Sequence, residues 1–133
     1  MFSLGECYRI ETNLDREGQI KSHFYVIILK TEKDQIVMVN FDKTRGRSKY
    51  DRTVIIMPGE CGDIITEESY INYNEAELID IESFQTKVET GIIKFRGVID
   101  TPILDRINNG VLRSKHTPFE IREIYEDKIY GSL

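Results

Sequence analysis

The segment His23-Phe24-Tyr25-Val26-Ile27-Ile28-Leu29 is an almost unbroken apolar and β-branched run, and it decides most of what this chain can fold into. A run of that kind reads as a buried central strand. Thr31 to Gln35 is short and polar, and Ile36-Val37-Met38-Val39-Asn40-Phe41 follows at once, so the two runs are expected to form an antiparallel hairpin. Upstream, Cys7 to Thr12 alternates as a strand does, and Asn13 to Gly18 is a polar connection. Downstream, Thr53-Val54-Ile55-Ile56-Met57 ends at Pro58-Gly59 and is expected to lie beside the hairpin. Ser69-Tyr70-Ile71-Asn72-Tyr73 adds a further strand. From Glu75 to Thr90 the pattern is mixed, and Leu78, Ile79, Phe84 and Val88 fit either a helix or a strand.

The clearest helix starts at Pro102. Thr101 suits an N-cap, proline suits the first helical position, and Ile103, Leu104, Ile107 and Val111 follow helical spacing, with Asn108-Asn109-Gly110 offering an end that leaves Val111 and Leu112 just beyond. From Phe119 to Tyr130, the spacing of Ile121, Ile124, Tyr125 and Ile129 favours a helix over a closing strand. With 133 residues, 40% of them hydrophobic and 31% charged, the chain reads as one globular domain, residues 1–133. The expected class is mainly β, a β-barrel with additional α-helices.

Charge is distributed unevenly along this sequence. The ten residues from Lys43 to Arg52 carry five basic side chains and one acid, whereas the whole chain has a net charge of −5. Such a loop is either a solvated turn or a site for an anion. Guanidinium groups match phosphate oxygens bidentately and a tyrosine can stack on a base, so Lys43, Arg47, Lys49, Tyr50 and Arg52 are candidate nucleic-acid-binding residues.

Several motifs are missing. There is no Walker loop, GxGxxG, GxSxG or HExxH, so no cofactor is expected. His23 and His116 are the only histidines, neither has a second strong ligand at short spacing, and no metal site is expected. Cys7 and Cys61 lack CxxC spacing and read as free thiols. The opening residues have neither a charged n-region nor a long apolar stretch, and no segment is long enough to cross a bilayer, so the expected location is cytoplasmic, with no membrane partner. What remains is a constellation at the mouth of the hairpin. His23 opens one strand while Asp42, Lys43, Thr44 and Arg45 close the next, and antiparallel pairing brings these ends together. Cleavage of RNA without a metal needs a proton acceptor for the ribose 2′-hydroxyl and cations for the phosphorane, and His23, Thr44 and Arg45 are the candidate catalytic residues.

Gly5-Glu6-Cys7-Tyr8, then His23-Phe24-Tyr25-Val26-Ile27-Ile28, then Val37-Met38-Val39-Asn40-Phe41-Asp42-Lys43-Thr44 resembles the PemK/MazF-like toxins of bacterial toxin-antitoxin systems. Ser69-Tyr70-Ile71 and the helix from Asp100 to Gly110 follow in matching order. The resemblance implies an SH3-like β-barrel, commonly a homodimer, that cuts single-stranded RNA without metal and is held by an antitoxin-like protein partner. Where those toxins carry an Arg-Pro pair at the start of the second strand, this chain has His23-Phe24; either Arg45, Arg47 or Arg52 replaces the missing arginine, or activity is lost or altered. Gly59-Glu60-Cys61-Gly62 and Ile64-Ile65-Thr66 look like an insertion relative to the compact toxins. The competing class is a non-catalytic SH3-like interaction module that docks an acidic protein partner.

Overall fold

A computed structural model describes residues 2–14 and 20–131. The long apolar run lies within a central strand because both of its faces are covered. The elements are β1 (Glu6–Leu14), β2 (Ile20–Lys30), β3 (Gln35–Lys43), β4 (Ile55–Ile56), β5 (Ser69–Asp80), α1 (Ile81–Glu89), β6 (Ile93–Val98), α2 (Thr101–Gly110) and α3 (Phe119–Tyr130). The chain is mainly β: its strands pair antiparallel in one curled sheet of order β4-β5-β3-β2-β1-β6.

Strand alternation explains the missing polar positions of β2. Val26 and Ile28 point to one face and pack with Val37, Val39, Ile107 of α2 and Tyr125 of α3. Tyr25 and Ile27 point to the other, against Ile36, Met38 and Phe84 of α1. Strands covered on both faces read as continuous apolar runs rather than alternating ones. A bulge after Ile27 lets Ile28 and Leu29 both join the larger core. A wider irregularity curls β5. Met38 is opposite Glu77 and Asn40 opposite Asn72, so the β5 residues between them bow outward, and Tyr73 and Ala76 both enter the same core.

The β2–β3 turn closes as its residues dictate. The Thr31 hydroxyl accepts from the backbone N–H groups of Lys33 and Gln35, and Asp34 takes φ 55°, which aspartate tolerates better than most side chains. The mixed segment after β5 resolves into strand to Asp80 and then helix. Phe84 of α1 is fully buried edge-on to Tyr8 at 5.0 Å.

Four details differ from the sequence reading. Only Ile55–Ile56 of the Thr53–Met57 run is strand, and β5 lies between it and the hairpin, because β5 continues the sheet beyond β3. The cap position of α2 is Asp100 rather than Thr101. β6 has no counterpart in that reading, since Lys94, Phe95, Arg96 and Val98 lie at a sheet edge and give no buried alternation. Residues 15–18 of the expected polar connection lie outside the described residues. No described helix is long and apolar enough to cross a membrane.

Gly110 is fixed by packing rather than by backbone conformation. A Cβ there would strike the Tyr73 hydroxyl, which donates to the Ile107 carbonyl at 2.6 Å, and would meet Val54 at 2.8 Å. Gly110→Ala is expected to lower stability by about 1–3 kcal/mol through overpacking. Removing the hydroxyl with Tyr73→Phe should restore part of that loss, so the double-mutant cycle by urea unfolding should be non-additive. Additive losses would show that the two residues do not compete for the same space.

Candidate functional site

The mouth of the hairpin holds a buried carboxylate with three neighbours. His23 lies on β2 and Asp42 on β3, and the Phe24–Phe41 pairing sets them side by side. His23 Nδ1 lies 3.2 Å from Asp42 Oδ1, and Asn72 of β5 donates to Asp42 Oδ2 at 2.8 Å. One carboxylate thereby ties three adjacent strands. Burial pushes the Asp42 carboxyl up, but the hydrogen bonds from His23 and Asn72, with the charges of His23 and Arg47, outweigh it and hold the group below the ordinary aspartate range. With Nδ1 engaged, Nε2 is the nitrogen left to face a ligand, and the His23 side chain is 24% exposed.

A cleft of about 730 Å³ opens around this pair. Arg9, Lys43, Arg45, Arg47 and Arg96 line it, against the carboxylates of Asp42 and Glu67. Five cations face two acids in a chain whose net charge is −5. Glu67 is shared by Lys43 at 2.8 Å and Arg45 at 3.3 Å, and both cations are well exposed. Exposed pairs of this kind are weak and screened by solvent, so an incoming anion can displace Glu67 at small cost. Phe24, Phe41, Ile64 and Ile65 form the apolar part of the lining.

The basic loop is fastened at its ends and open in its middle. Thr44 is buried and donates its hydroxyl to Glu68 Oε2 at 2.7 Å, so it anchors the loop and does not line the cleft. Tyr50 stacks on Tyr70 at 5.1 Å, and the Arg52 guanidinium lies 4.1 Å above the Tyr50 ring while donating to its hydroxyl. At the far end, the Ser114 hydroxyl donates to Asp51 Oδ2 at 2.6 Å. Residues 45–49 between these anchors are exposed. The structure thus brings His23, Lys43, Arg45 and Arg47 together at the cleft, and sets Thr44, Lys49, Tyr50 and Arg52 outside its lining.

Sequence patterns do not single out Arg9, Phe24, Glu67, Asn72 or Arg96 as site residues. Arg9 sits on β1 opposite Phe24, and the alternation of β1 alone shows which face it occupies. Arg96 depends on β6, whose pairing to β1 no local pattern reveals. Among the described residues, no three His, Cys, Asp or Glu side chains gather into a metal-ligand set. No protein-family model matches the chain, and the searches of curated proteins and of solved structures found no significant match.

The Asp42 network makes a pH prediction. Because the folded carboxyl is depressed, its contribution to stability is fully present above the unfolded value of about 3.9 and is lost as pH falls through the lower folded value. Asp42→Asn should therefore be less stable at pH 7, and its stability should fall less steeply below about pH 4. Urea midpoints across the range from neutral to acid pH test this. Parallel curves for the two proteins would mean that Asp42 is not held in its charged form by the fold.

Proposed function

We propose that this protein binds single-stranded RNA in the cationic cleft and cleaves it without a metal, as a relative of the PemK/MazF-like toxins built on an SH3-like barrel. The observation that carries the reading is the His23–Asp42 pair at 3.2 Å, set in a cleft whose five cations outnumber its carboxylates. Asp42 orients the imidazole so that Nε2 accepts the proton of a ribose 2′-hydroxyl. The 2′ oxygen then bonds to phosphorus, the bond to the 5′ oxygen breaks, and the proton ends on that departing oxygen. The products carry a 2′,3′-cyclic phosphate and a 5′-hydroxyl. Lys43, Arg45 and Arg47 are placed to stabilise the charge that builds on the phosphoryl oxygens.

A second reading rests on a different observation. Among the described residues β6 is an edge strand with an unpaired side, and it exposes Phe95 and Val98 beside Lys94 and Arg96. A non-catalytic module of this kind would take an acidic protein partner as an added strand. An antitoxin-like partner and a homodimer belong to the same resemblance and are part of the proposal.

His23→Gln keeps a donor for Asp42 but has no titratable nitrogen. It is expected to abolish formation of cyclic phosphate ends on a single-stranded RNA while leaving the thermal midpoint nearly unchanged, and wild-type cleavage should persist in EDTA. Cleavage that survives His23→Gln, or stops on chelation, contradicts the mechanism. Neutralising Arg45, Arg47 and Lys49 together should cost no more than about 1 kcal/mol of stability, since all three are exposed. Each phosphate that these side chains no longer neutralise should lower the slope of log affinity against log salt by roughly 0.7. An unchanged slope in the triple variant would leave the loop as a solvated turn.

A further inference from the structure

The sheet pairing lines up one row of side chains, of which Arg9, Phe24 and Phe41 line the cleft. Lys94 on β6 is opposite Arg9 on β1, Arg9 is opposite Phe24 on β2, and Phe24 is opposite Phe41 on β3. Alternation puts this row on the face away from the His23–Asp42 pair, which shares its side of the sheet with Tyr25 and Asn40. The two sets meet at the end of the strands, where both line the same opening. Phe41 is buried, whereas Phe24 is half-buried, with part of its ring turned to the cleft. The Arg96 guanidinium lies over that ring, 5.8 Å from its centre. Ser22, whose hydroxyl accepts from Arg9, also lines the cleft.

We propose that Phe24 and Arg96 form a base-binding subsite that takes one nucleobase of a single-stranded nucleic acid on the phenyl ring, the Arg96 guanidinium moving outward from its position 5.8 Å above the ring to cover the base. The inference deepens the function proposed above and rests on it. A flat, half-buried aromatic surface suits a base, because every base presents a π face, and an arginine plane stacks on the opposite side of it. The flanking cations fit the backbone that carries the base, and Arg9 and Lys43 stand on the strands either side of Phe24. An apolar cleft for an aliphatic ligand would not need a cation held over its floor. A base at Phe24 sets the register of the strand of RNA, and the adjoining phosphate then falls toward Nε2 of His23 at the rim. Phe24 in this account is a binding and positioning residue, not a catalytic one.

The probes are a decamer of 2′-O-methyluridine, which cannot be cleaved, a decamer with the same backbone and no bases, and polyglutamate of matched charge. Binding of each to the full chain is measured at fixed salt. The uridine decamer should bind about tenfold more tightly than the abasic one, the size expected for a single stacked base. Phe24→Leu should erase that preference while leaving abasic binding within about twofold, and Phe24→Tyr should retain it. Equal binding of the two decamers to the wild type would overturn the subsite while leaving the cationic cleft standing, and that comparison needs no variant to fold. A preference for polyglutamate, or no binding of either decamer, would instead overturn the nucleic-acid reading and the subsite with it.

Discussion

Burial of β2 on both faces is the constraint on which the rest depends. Val26 and Ile28 are committed to the core under α2 and α3, and Tyr25 and Ile27 to the core under α1. A slip of one residue would exchange those two sets and force His23 and Phe24 to trade faces as well. Register is therefore set by apolar packing in the middle of the strand, and the polar end inherits it. That is how Phe24 comes to face Phe41, and His23 comes within 3.2 Å of Asp42. The bulge after Ile27 lies beyond these pairs and leaves their alternation intact.

Electrostatics at the site follow from that placement. Asp42 is buried, and a buried carboxylate is costly unless its oxygens are satisfied. Asn72 donates to one oxygen and the His23 ring nitrogen lies 3.2 Å from the other, with Arg47 adding its charge nearby. The group stays ionised, orients the imidazole, and joins β2, β3 and β5. The cations of the cleft are organised differently. Lys43 and Arg45 lean on Glu67 at the surface, where such pairings are weak and exchangeable. Tyr50, Asp51 and Thr44 hold the loop that carries them. A buried carboxylate–imidazole pair thus lies beside cations whose surface pairings an anion can displace.

Local pattern carries the hairpin and the helices, and it fails where structure depends on distant pairing. β2 and β3 are legible as apolar runs bounded by turn signals, and β1 from its alternation. α2 is legible from Pro102 and the spacing of Ile103 and Ile107, with its cap one residue away from the expected position. β6 is not, since an exposed edge strand shows little alternation, and without it Arg96 has no visible place in the site. The position of β4 is hidden because nothing in the sequence states that β5 enters between it and β3. At the site, His23, Lys43, Arg45 and Arg47 are legible because the hairpin brings them together. Thr44 and Tyr50 have chemistry that suits a binding site, and the structure uses their side chains to fasten the loop.

The end of β2 and β3, with β1 and β6 beside it, is where single-stranded RNA is proposed to bind. Titrating the isotopically labelled protein with a non-cleavable 2′-O-methyl oligonucleotide and following its NMR signals tests that claim most directly. Shifts are expected to concentrate at Arg9, Phe24, Lys43, Arg47 and Arg96 and at the His23 ring, with the exposed acidic face of α3 around Glu123 and Asp127 unmoved. Shifts centred on α1 or α3, or a spectrum unchanged at millimolar oligonucleotide, would contradict it.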